Sequence, residues 1–152
     1  MRAGLAAAVV ALVAAPAALA GPTVVKTAHN ANLNATILVD ARGMTLYYYV
    51  ADSPDKSTCN DDPTYHCSKH WVPLLASGSP KAAGTAKQGL LGTATRDDGR
   101  MQVTYKHHPL YSWKGGYGSP ADTKPGDVYG QGFGSIWYVL SPAGKPIKTQ
   151  RH

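Results

Sequence analysis

Apolar and polar positions alternate in short runs along this chain, and no window sustains an apolar period of 3.6 residues. The pattern predicts strands. Residues 23–27 and Ala35–Asp40 are rich in Val, Ile and Thr and read as the first two, separated by an Asn-rich loop. A short turn at 41–43 leads to a returning strand over 44–50. Further on, 90–96 and 101–106 flank Asp97-Asp98-Gly99, a strong hairpin signal. Residues 110–113 form another strand, and 136–140 pairs with 145–149 around Ser141-Pro142-Ala143-Gly144. Residues 77–89, small and polar, read as more loop than element. Within the irregular stretch 51–70, residues from Cys67 to Trp71 allow one helical turn, stopped by Pro73. The expected fold is mainly β: a small antiparallel domain with long Gly/Pro loops and at most that helical turn. Tyr47, Tyr48 and Tyr49 in succession send rings to both faces of a sheet. One face is therefore expected to be other than dry core.

The elements recur in order. Leu46-Tyr47 and Leu110-Tyr111 stand 64 positions apart, and the same spacing sets Val39 on Val103 and Arg42 on Lys106. Each copy runs into an aspartate-bearing turn, Asp52 to Asp55 or Asp122 to Asp127. Each then closes on a tryptophan and an apolar run, beginning at Trp71 or Trp137. Unlike elements in a shared order predict an internal repeat, at about 37–75 and 101–144, inside one domain over 21–152. Structureless loops beyond about 12–15 residues are uncommon in small domains unless they carry function. Both long irregular stretches, 51–70 and 114–134, follow a Leu-Tyr strand. Any site is expected there.

Composition adds location and solvent exposure. Met1-Arg2, an apolar run from Leu5, and Ala18-Leu19-Ala20 make residues 1–20 read as a cleavable export signal. No cysteine follows the cut, so lipid anchoring is not expected, and no later run is long enough for a membrane span. The expected location is periplasmic or secreted. Nine Tyr and three Trp against one Phe suggest rings at edges and rims, with their polar tips wet. The formal charge of +6 is scattered apart from Lys145, Lys148, Arg151 and His152. Scattered charge on an exported chain argues against nucleic acid as a partner. It allows loose, salt-sensitive attraction to anionic envelope surfaces.

Candidate chemistry is thin. Cys59 and Cys67, an even pair in an oxidising compartment, read as a disulfide. Together with His66 and His70 they also make a Cys/His set of the size a zinc site uses. His107-His108 offers imidazoles to copper or zinc, with Met44 as a soft thioether aligned to it, provided the turn bends. The bland alternative is a solvated turn. All nine acidic residues are aspartates. Asp52 and Asp122 would be the carboxylates of a glycan hydrolase, but aspartate in such settings commonly bonds its own turn. Nucleophile-elbow, P-loop and H-E-x-x-H signatures are missing, and no cofactor is expected. The tryptophans suit a core, or else platforms for sugar rings.

Taken together, several ordered stretches resemble a bacterial family of secreted or lipoprotein repeats of unknown function. They are Gly43 to Asp52, Ser57 to Cys59 with Cys67 to Leu74, Asp98 to Tyr105, His108 to Tyr111, Pro125 to Gly132, and Trp137 to Val139. The family is marked by a Tyr-x-aromatic-x-x-Asp motif, carried here by Tyr47, Tyr49 and Asp52. Trp71, Tyr111, Asp127 and Trp137 fall in the other matching stretches. The resemblance implies an envelope or secreted location and no established activity. The chain departs from it in lacking a lipid-accepting cysteine, in the wider spacing of Cys59 and Cys67, and in having His107 where relatives commonly have Gly. The expected function is an exported, non-enzymatic β module binding an envelope component or small ligand. Metal handling through His107 and His108, and an Asp-dependent glycan hydrolase, stay open as alternatives.

Overall fold

The structure, a computed structural model, describes residues 20–150. The expected export signal lies outside the described residues apart from Ala20. In chain order the elements are β1 (Val24–Asn30), β2 (Ala35–Asp40), β3 (Tyr47–Tyr49), α1 (Cys67–His70), β4 (Trp71–Pro73) and β5 (Lys81–Ala82). They continue with β6 (Leu91–Thr95), β7 (Met101–Tyr105), β8 (His108–Pro109), β9 (Tyr111–Trp113), β10 (Trp137–Leu140) and β11 (Pro146–Ile147). The fold is mainly β, as the alternation predicts; the α-helical turn sits where Pro73 limits it, and two 3-10 turns, Gln88–Leu90 and Phe133–Ser135, lie in the connections.

The central sheet has the order β11-β10-β3-β9-β4, flanked by the sheets β2-β1-β5 and β6-β7-β8. Its strands alternate in origin, because β3 and β4 come from the first half of the chain and β9 and β10 from the second. Tyr47 faces Tyr111 at the centre. Trp71, Val72 and Pro73 face Trp113, Ser112 and Tyr111, while Trp137, Tyr138 and Val139 face Tyr49, Tyr48 and Tyr47. These two sets of pairings are the same relation read from either half. An approximate two-fold axis therefore passes through the Tyr47–Tyr111 pair. In each half an antiparallel hairpin, β1–β2 or β6–β7, precedes the Leu-Tyr strand.

Side-chain alternation sends successive residues of the central sheet into two separate cores. One gathers Tyr47, Tyr111, Trp71, Trp113, Trp137 and Val139; the other gathers Tyr48, Tyr138, Leu46, Leu110 and Leu140 with Val25, Leu38, Val103 and Tyr105 from the hairpins. This corrects the expectation of a wet face. Tyr48 is only 7% exposed and Tyr47 fully buried, because the hairpins cover the second face. The rings are not confined to rims either. Buried phenols keep their polar tips satisfied internally: the Tyr105 hydroxyl donates to the Pro142 carbonyl and accepts from the Lys87 N–H.

The sheets are antiparallel, as expected, apart from one two-residue parallel pairing of β5 with β1. The stretch 77–89 is mostly loop, also as expected, and its small residues lie along the free edge of β1, where the Lys81 and Ala83 N–H groups donate to the Thr23 and Val25 carbonyls. One further expectation needs correction: Val39 does not match Val103. The Leu46 N–H bonds to the Leu38 carbonyl, as the Leu110 N–H bonds to that of Val103. The connection in the second half is therefore one residue shorter.

Candidate functional site

Each Leu-Tyr tyrosine reaches across the axis to an aspartate in the other half's long loop. The Tyr47 hydroxyl donates to Asp122 at 2.6 Å and the Tyr111 hydroxyl to Asp52 at 2.7 Å. Tyr49 also crosses, stacking on Trp137 with ring centres 4.3 Å apart. All three residues of the Tyr47-x-Tyr49-x-x-Asp52 motif thus bind the opposite repeat, and the motif acts as a clasp. Bonds to an ionised partner contribute roughly 1.5–3 kcal/mol each.

The two latches are built differently. Asp52 also accepts the backbone N–H and hydroxyl of Thr58 at 2.7 and 2.9 Å. Behind it stands Arg96, 4% exposed, whose guanidinium donates to Ser57, Gln102, Asn60 and the Cys59 carbonyl. Ser57 in turn bonds the Tyr111 hydroxyl at 2.7 Å. Burial raises the Asp52 pKa despite these bonds, and burial with the nearby Asp52 charge pushes the Tyr111 phenol far up. Asp122 accepts the Tyr129 N–H at 2.8 Å. Asp127 serves its own turn through the Thr123 and Lys124 N–H groups, and those bonds hold its pKa low. Neither Asp52 nor Asp122 lines the cleft described next.

The two long loops meet over one edge of the first core and enclose a cleft of about 470 Å³. Trp137 lies sandwiched, its centre 4.3 Å from Tyr49 and 3.9 Å from Trp71, both nearly parallel. That stack floors the cleft. Tyr65 and Asp62 enter from the first loop, and Tyr117, Phe133 and Ile136 from the second. The Tyr117 hydroxyl donates to the Tyr65 carbonyl, joining the loops. The disulfide between Cys59 and Cys67 pins the first loop beside β4, and Cys67 itself contributes to the wall. Gly130 passes so close that an added Cβ would stand 2.7 Å from Trp71. The three tryptophans are core residues, 1–3% exposed, and the margins of Trp71 and Trp137 show in the cleft.

Sequence reasoning pointed to the two loops and to Tyr49, Trp71 and Trp137. It missed Tyr65, Tyr117 and Phe133, whose only signal was an aromatic ring inside a turn-rich loop. It also missed Arg96, which reads as the polar end of a strand. The histidines do not converge. His107 bonds Asp55 at 2.6 Å and is exposed, whereas His108 packs on the Tyr48 ring and is held below its ordinary pKa by burial. His66 pairs with Asp61, and His70 with the Gly115 carbonyl at 2.8 Å. The sulfurs of Cys59 and Cys67 are bonded to each other. Among the described residues no group of three or more His, Cys, Asp or Glu side chains is placed to hold a metal ion. Met44 offers its carbonyl to the Asp40 N–H. Among the described residues no helix is long and apolar enough to cross a membrane.

A family model described as a secreted repeat of unknown function matches residues 34–74 and 92–141, together more than half of the chain. No curated protein and no solved structure gives a significant match. Each matched region runs from a hairpin strand through a Leu-Tyr strand and a long loop to a tryptophan strand of the interlaced sheet. The chain belongs to this family of secreted repeats of unknown function.

Proposed function

We propose that this protein is a non-enzymatic binding module of the periplasm or the medium, whose ligand is a small molecule or an exposed group of an envelope component. The observation that carries the reading is the aromatic cleft between the two long loops. Its size is within the range of small-molecule sites, about 300–1,000 Å³, and its lining is mostly apolar with few polar groups. The clasp and the disulfide hold both walls in place, so little ordering cost falls on binding. The disulfide and the signal-like start of the chain support export.

The test uses N-phenyl-1-naphthylamine, a neutral aromatic dye that brightens in apolar surroundings. Saturable one-to-one binding is expected, lost in an Ile136→Trp variant that fills the cleft. Equal binding by that variant, or no binding by the native protein, overturns the reading.

A further inference from the structure

We propose that the cleft selects a small alkylated ammonium cation over a neutral or anionic ligand of the same shape. This rests on the reading of the cleft as a ligand site and names the class of ligand.

The whole chain carries a formal charge of +6, yet no Lys, Arg or His lines this cleft. The charged side chain in its wall is the carboxylate of Asp62. Two basic side chains close to it in sequence pair with Asp61 instead: the His66 ring lies 3.2 Å from that carboxylate and the Lys69 ammonium 3.7 Å. Asp62 remains ionised at neutral pH, because the Tyr65, Cys67 and Thr64 N–H groups donate to it and lower its pKa. Those bonds fix the carboxylate in the wall without neutralising its charge.

Burial first, and after it the Asp62 charge, raises the Tyr117 phenol pKa, and burial followed by the Asp52 charge does the same at Tyr49. Both tyrosines line the cleft. A fixed negative potential between aromatic walls favours a cation whose shell is too apolar to hold water tightly. An anion would meet the same potential as repulsion, with no donor side chain of opposite charge to offset it. The outer surface, by contrast, carries the positive excess. The cleft is an acidic recess in a basic protein.

The experiment follows tryptophan emission while the native protein is titrated with choline and, separately, with its neutral carbon isostere 3,3-dimethylbutan-1-ol. Choline is expected to bind about tenfold tighter, the size of one cation–π or ion contact. Asp62→Asn is expected to erase that preference. Because Asp62 also holds its own turn, Ile136→Lys serves as a second variant that puts a cation into the wall and leaves the turn intact. It is expected to lose choline while keeping the alcohol. Equal affinity for the two probes, or no saturable response to choline while the neutral dye still binds, overturns the charge preference alone. Loss of the dye as well overturns the cleft reading with it.

Discussion

The two halves share a register at the central sheet and differ in almost everything that holds the register in place. In the first half, the turn into the Leu-Tyr strand uses Gly43 at φ +87° and the carboxylate of Asp40, which accepts the Arg42 and Met44 N–H groups. In the second, a two-residue connection between Tyr105 and His108 places Lys106 at φ 49° and His107 at φ 68°. Two positive φ values in succession suit Asn and Gly, and side chains such as these adopt them at a cost of about 1–2 kcal/mol each. The imidazole of His107 reaches Asp55 in the first half's loop at 2.6 Å. The latches differ likewise, with a buried guanidinium behind Asp52 and a second backbone turn beside Asp122. What the halves keep in common is ring against ring and strand against strand. Turn strain and buried charge vary where neighbouring loops can absorb them.

The comparison breaks most visibly at Arg96. Among the described residues no other cation is buried, so Arg96→Met strikes one latch only. It leaves Ser57, Gln102, Asn60 and the Cys59 carbonyl without their donor, and a loss of about 3–5 kcal/mol is expected in urea unfolding. A loss below about 1 kcal/mol would mean that Asp52 and Tyr111 hold without it. Next come the tyrosines. Tyr111→Phe and Tyr47→Phe should each cost about 1.5–3 kcal/mol. The coupling of Tyr111→Phe to Asp52→Asn in a double-mutant cycle should be clearly non-zero; strict additivity would deny the latch.

The aspartates sharpen the contrast through pH. Asp52 has a native pKa above its ordinary value, so it favours folding while protonated. That contribution is present below about pH 4 and is lost as pH rises through the native pKa. Asp127, held low, has the opposite sign: its contribution is present above about pH 4 and is lost as pH falls through the native pKa. Urea midpoints measured across the acid range should therefore lose a falling component in Asp52→Asn and a rising one in Asp127→Asn. The same slope change in both variants would refute the assignment. The smallest effect belongs to the turns. His107→Gly should gain about 0.5–1 kcal/mol after forfeiting the exposed contact with Asp55, of about 0–1 kcal/mol. Gly43→Ala should lose about 1–2 kcal/mol. Scanning calorimetry would separate the signs.

Much of this fold was legible in the sequence, and for definite reasons. Asp97-Asp98-Gly99 turns where its φ-permissive glycine, at +81°, requires. The Cys59–Cys67 disulfide followed from the compartment and an even count. The Leu-Tyr strands and tryptophans were found at their proper places. The sheet order was not legible, since strands of three residues such as β3, β4 and β9 carry too little pattern to name their partners. The one-residue slip between Leu38 and Val103 was hidden because Val39 matched by identity. The wetness expected of Tyr48 failed because much of the core it joins, Val103, Tyr105 and Tyr138, comes from the other half of the chain. In the cleft, Asp62 looked like one more turn aspartate, which it also is.

The interlaced sheet also governs when the molecule can fold. Tyr47 bonds an aspartate 75 positions later, and Tyr111 one 59 positions earlier. As the chain emerges from its N-terminus, β3 has neither sheet neighbour until β9 and then β10 arrive. Closure of the central sheet therefore waits for Trp137 and joins both copies in a single late step, with the slow kinetics of high contact order. A chain cut between the repeats would hold no folded half. Beside its own hairpin, the first half would keep only two short strands of the central sheet, β3 and β4, with open edges.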